Sequence, residues 1–140
     1  MVINSSILTL SLLIALPVQA AVNQSCANET GPSLRIHGRL GVYNGGYPNL
    51  RIWQIGTHHM YGVFGDSADL RCIRWGKCDG DDDTKLPSNL DALMRLPNPL
   101  FEFFVYGDFE LRLLEPHKPG HQQAACIVSG GNLVRQRNSN

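Results

Sequence analysis

His117 and His121 stand four residues apart, with Glu115 just before them. Two imidazoles and a carboxylate are a familiar zinc-ligand set. Pro119 and Gly120 separate the histidines, so the i, i+4 face of a zinc-enzyme helix is excluded and only a loop can bring them together. His58 and His59 are adjacent; on a strand they point to opposite sides and do not share a metal. Asp79, Asp81 and Asp83 sit in the run DGDDD, where clustered hard oxygens and a glycine suit Ca2+. The twelfth position from Asp79 is Leu90 rather than the Glu of an EF-hand, and the neighbouring carboxylates repel one another. A solvated loop is the plainer reading. The residues therefore predict neither a resident metal nor an organic cofactor.

Asp108 and Glu110 are two apart and share one side of a strand. Glycosidase chemistry sets two carboxyls across a cleft of about 5–10 Å, and strand neighbours facing the same way have no opposing wall. The chain carries no Gly-x-Ser-x-Gly elbow, phosphate loop or H-E-x-x-H. Stacking and charge are better represented. Arg35, His37, Arg39 and Tyr43 lie on the outer side of one predicted strand, and Arg51 and Trp53 on the outer side of the next. Arg supplies forked donors and Trp a flat plate, so this face suits an anionic or ring-bearing ligand: a glycan, a nucleotide-like or other anionic small molecule, a single strand, an acidic peptide or an envelope protein. The same residues also have a purely structural reading. Glu102, Asp108 and Glu110 on a neighbouring strand would pair with them across the surface, each pair worth under about 1 kcal/mol.

Residues 7–16 form a short apolar core, and Val18-Gln19-Ala20 places small residues at a cleavage site. Residues 1–20 are expected to be a signal peptide, although no Lys or Arg precedes the core. The product is expected in the periplasm or outside the cell. Acidic and basic residues balance at twelve each, so a strongly basic nucleic-acid binder is not indicated. The four cysteines then read as disulfides. Three pairings are possible. Cys72–Cys78 with Cys26–Cys126 is preferred, because the first closes a local loop and the second ties the N-terminus to the last strand.

Residues 21–33 read as an extended leader, 34–130 as one domain and 131–140 as a flexible tail. Strands are predicted over 33–42, 50–55, 60–64, 101–113 and 124–128 from period-two alternation. Residues 44–49, NGGYPN, make a turn. One helix is predicted over 88–96, capped by Ser88 and ended by Pro97 and Pro99. Gly107 among large residues marks a bend or bulge. The order implies a mainly β fold: an OB-like five-stranded β-barrel with the helix between strands three and four, or else a small β-sandwich.

Two blocks carry a resemblance. One runs His37-Gly38-Arg39-Leu40, Asn44-Gly45, Arg51-Ile52-Trp53 and Gly56-Thr57. The other runs Tyr106-Gly107-Asp108-Phe109-Glu110, Pro116, Pro119-Gly120 and Ala125-Cys126. Together they resemble an uncharacterised family of short exported bacterial proteins, a likeness that brings no activity and no site. The function expected from sequence is a small exported, non-catalytic binding module. The alternatives are a metal-dependent hydrolase using His117 and His121, and a structural part of the envelope or of a secretion apparatus.

Overall fold

The computed structural model describes residues 21–43, 49–75, 85–97 and 102–138. The expected signal peptide, most of the NGGYPN turn, Asp79, Asp81, Asp83 and Cys78 lie outside the described residues. In chain order the elements are α1 (Gln24–Ala27), β1 (Ser33–Val42), β2 (Leu50–Gln54), β3 (Met60–Val63), α2 (Ser67–Trp75), α3 (Ser88–Met94), β4 (Phe103–Leu113) and β5 (Gln123–Arg137).

The protein is mainly β, and its five strands form one mixed sheet. Alternation in the strands places one set of side chains inward. Ile36 and Leu40 of β1, Ile52 of β2, Val63 of β3, Val105, Phe109 and Leu111 of β4, and Ala125 and Ile127 of β5 make a common core. Strand β1 is long enough to pair antiparallel with both β2 and β4, and Gly38 opposes Gln54 on one side and Gly107 on the other. Strand β3 pairs antiparallel with β2 and parallel with β5, which pairs antiparallel with β4. The ladder thus closes in the order β1-β2-β3-β5-β4. Beneath it, Leu90 of α3 is fully buried, and Leu93 and Met94 pack against the same core.

Several local expectations need correction. Strand β5 does not stop near 128 and the tail is not frayed: pairing with β4 continues to Phe103↔Arg137. The edge of β4's first half that faces away from β1 would otherwise lack a partner, and Leu133 packs on the core. The bulge lies in β5, opposite Gly107: Tyr106 pairs with Val134 but Asp108 with Gly131, so β5 carries an extra residue, with Asn132 at φ 50°. A Cβ on Gly107 would stand 2.8 Å from the Gly131 carbonyl oxygen, which is why only glycine fits there.

The leader is not simply extended. Asn23 caps α1 by accepting from the Cys26 amide at 3.4 Å, and Val22 bridges to Ser129. Cys26 is fully buried in a disulfide with Cys126, 100 residues away in sequence. That bond draws the segment onto β5. Cys72 is also disulfide-bonded.

Among the described residues two helices, not one, lie between β3 and β4. The missed one, α2, opens on a reciprocal cap: the Asp69 amide donates to Asp66 Oδ1 at 2.9 Å, and the Gly65 amide donates to Asp69 Oδ2 at 2.7 Å. Glu29 adds a second cap, accepting from the Ser67 amide at 2.7 Å and from its hydroxyl. In α3 the cap position is Pro87, without a side-chain bond, and the helix ends at Met94. Pro87 supplies the fixed φ there, so Ser88 starts the helix instead of capping it.

Candidate functional site

The outer side of β1 divides into two halves. In the first, register places Arg35 opposite Glu110 and His37 opposite Asp108. Arg35 Nη2 lies 3.8 Å from Glu110 Oε2, and His37 Nδ1 lies 2.9 Å from Asp108 Oδ1. Asn132 donates to the other Asp108 oxygen at 2.7 Å. The hydrogen bond from Asn132, then that from His37, holds the Asp108 carboxyl below its ordinary range. A depressed folded value stabilises the native state above the usual carboxylate range and stops doing so as pH falls through it. These are the cross-strand pairs of the structural reading. A groove of about 450 Å³ runs beside them, reaching Ser129.

In the second half, the Arg39 guanidinium sits between two rings, 4.5 Å from the Trp53 centroid and 4.4 Å from that of Phe104. Its Nη2 donates to the Tyr43 hydroxyl at 3.4 Å, while its Nε is buried without a partner. Trp53 Nε1 donates to the Thr57 carbonyl at 2.8 Å. Phe104, on the outer side of β4, is nonetheless buried. Its ring lies across Gly41, where a Cβ would come within 2.4 Å of it. Arg51 reaches over Tyr43 at 5.7 Å. Arg39, Tyr43 and Trp53 therefore fill one another's surfaces. Arg39→Ala is expected to cost about 1–2 kcal/mol through two lost cation–π contacts. Arg39→Met, which keeps an apolar stem between the rings but no charge, should recover the packing part of the loss and not the cation–π part. Thermal melts of the two variants check this, and an unchanged Arg39→Ala melt would show that the stack does not hold this face together.

A different set of residues converges at one end of the ring. The β2–β3 turn is closed by Gly56 at φ 79° and by Thr57, whose hydroxyl donates to the Gln54 carbonyl at 2.9 Å and accepts from the His59 amide at 3.0 Å. The β4–β5 connection turns at Gly120, φ 76°, with the His121 amide donating to the Lys118 carbonyl at 3.0 Å. The parallel register Tyr61↔Gln123 lays these two loops side by side. Between them is a cleft of about 380 Å³ lined by His58, His59, His117, His121 and Arg51, with Tyr61 at its base. The His59 and His117 rings meet edge to face at 6.3 Å. Burial raises the Tyr61 phenol above its ordinary value, and its hydroxyl donates to Gln54 Oε1 at 3.3 Å.

The strand geometry considered for His58 and His59 does not apply, since they sit in a turn, and both line the cleft. His117 and His121 do meet in a loop, but Glu115 does not join them in the cleft; it accepts from Arg74 at 2.6 Å in a neighbouring hollow of about 510 Å³. Among the described residues no group of three His, Cys, Asp or Glu side chains is arranged to hold a metal ion. Nor is any helix among them long and apolar enough to cross a membrane.

No match was found. Neither a protein-family model, nor a curated protein, nor a solved structure matches the chain.

Proposed function

We propose that the chain is an exported, disulfide-stapled binding module built as an OB-like five-stranded barrel, acting in the periplasm or outside the cell and performing no reaction. The barrel reading is supported by the closed order β1-β2-β3-β5-β4, with α2 and α3 between β3 and β4 in the chain. Such barrels bind through the face of strands two and three and through the loops that join strands one to two and four to five. Export is supported by the buried Cys26–Cys126 bond, since disulfides persist in oxidising compartments. Kinship with short exported bacterial proteins belongs to the same reading.

The observation that carries the site is the Tyr61↔Gln123 parallel pairing, which sets the β4–β5 connection against the β2–β3 turn and leaves a cleft between them. Ser33 and Ser129 donate to Glu110 at 3.3 and 3.5 Å, so the His37–Asp108 pair has no hydroxyl nucleophile hydrogen-bonded to it among the described residues.

Amide shift mapping by NMR during titration with neutral and charged oligosaccharides tests the reading. Shifts confined to 58–61 and 117–123 are expected. Shifts around Arg35 and Asp108 would move the site to the groove. Release of a product, with zinc lost in His121→Ala, would replace the reading with the hydrolase. Silence toward every ligand, with cross-linking to an envelope protein in cells, would favour a structural part.

A further inference from the structure

Resting on the reading of this cleft as the binding site, we infer that its ligand is an acidic oligosaccharide and that the histidines hold it by taking up protons. The first ground is the composition of the walls. Among the described residues no Asp or Glu lines the cleft, whereas four imidazoles and Arg51 do. None of the four imidazoles has a hydrogen-bond or ion-pair partner among the described residues; the one contact recorded is ring to ring, His59 on His117. Polar groups held in a concave site without internal partners are available to a ligand.

The second ground is the charge of the surroundings. The neighbouring hollow shares His121, Gln122 and Gln123 with the cleft, so the two form one trough along the β4–β5 connection. The trough adds Arg74 and Lys118, and its one carboxylate, Glu115, is engaged by Arg74. Among the described residues, the charged or titratable groups that line the trough beside the histidines are Arg51 from β2, Tyr61 from β3, Arg74 from α2, and Glu115 and Lys118 from the β4–β5 connection. Among these, cationic side chains outnumber the carboxylate. A metal cation would meet Arg51 at close quarters; an anion is drawn in.

The third ground separates a glycan from a nucleic acid. Single strands are held by bases stacked on open aromatic faces. In this cleft the phenol is buried, Phe64 in the adjoining hollow is buried too, and the rings of Trp53 and Phe104 already enclose Arg39. Gln123 Nε2 already donates to the Glu115 carbonyl at 3.0 Å, and the other donors lining the cleft are imidazoles, a guanidinium and the Gln122 amide. They suit the sulfate, phosphate or uronate groups of a sugar chain.

Histidine changes charge between about pH 5 and 8. A protonated imidazole attracts an anion, so protonation and anion binding favour each other. Binding must therefore tighten as pH falls.

The probe is a fluorescein-labelled, heparin-derived hexasaccharide, whose sulfates keep their charge across this range, so that any pH dependence belongs to the protein. Maltohexaose of similar length is the neutral arm and oligothymidylate the nucleic-acid arm. With the full exported chain, affinity for the sulfated probe is expected to be at least about tenfold higher near pH 5.5 than near pH 7.5. His58, His59, His117 and His121 are all exposed, so replacing them together by Gln should leave the melt in place while abolishing the pH dependence. Arg137→Ala, which removes a surface cation far from the trough along β5, should bind like the parent; an equal loss there would mean diffuse charge attraction and overturn the inference. A pH dependence that survives in the fourfold variant would also overturn it, as would oligothymidylate binding as tightly as the sulfated chain. If maltohexaose shifts the same cleft amides with equal affinity, the site stands and the acidic-glycan inference falls. If no sugar perturbs the cleft, both fall.

Discussion

Replacing Cys26 and Cys126 together by alanine should lower the melting temperature by about 10–20 °C. The bond closes a loop of 100 residues, and cross-linking a loop of that length removes about 4.7 kcal/mol worth of disorder from the unfolded chain in the entropy model, with 2–5 kcal/mol typical for small secreted domains. For a domain of this size, each kcal/mol shifts the midpoint by roughly 2–8 °C. The loss should be uneven. Cys26 and Cys126 pack in a satellite cluster with Val128, Ala27 and Leu114, apart from the main core. Amides of α1 should therefore exchange freely in the variant before those of β1 and β4 do. Alanine avoids burying new hydroxyls, and a double substitution leaves Cys72 in its own bond, which a reducing agent would not. A shift under about 3 °C would mean that the main core alone holds the segment.

Phe109→Ala should be comparably severe, at about 3–5 kcal/mol. Phe109 is among the largest fully buried side chains. It occupies space that two glycines leave open: a Cβ on Gly38 would stand 3.3 Å from its ring, and one on Gly130 would stand 3.6 Å away. Neither neighbour has a side chain that can swing in to fill the cavity, so the site collapses poorly. Phe109→Leu, which loses less volume, should cost less than half as much. Denaturant titration of both variants gives the comparison. An alanine variant within 1 kcal/mol of the parent, about the size of an ordinary surface change, would show that the ring interior can repack.

The strands were legible because they are half wet. Ile36 and Leu40 are buried while Arg35 and His37 are exposed, and that alternation is written in the residue types. Phe104 was not legible. It stands at an outward position, and only the gap over Gly41 and the lid of Arg39 bury it, both of which come from another strand. The end of β5 was missed for a similar reason: NLVRQR is polar, and its pairing with the first half of β4 is decided by β4's need for a partner. Helix α2 had a local signal in Asp66-x-x-Asp69, which reads as a turn unless the reciprocal cap is considered.

The histidine cleft was the least legible feature. Two histidine pairs some sixty residues apart carry no mutual signal in sequence. They become neighbours because β3 and β5 pair in parallel, a contact that period and turn chemistry do not encode. The predicted face, by contrast, was visible residue by residue. What the residue types did not disclose is how far Arg39, Tyr43 and Trp53 already satisfy each other.

The order of strands also constrains how the molecule comes into being. Strand β5 is the last to be synthesised, yet it is the one that pairs with both β3 and β4 and carries Cys126. Until the fifteen residues of β5 are available, β3 and β4 each present a bare edge, which is what makes a nascent chain stick to its neighbours. The sheet therefore closes only when β5 arrives, and a stop before Gln123 leaves both edges open.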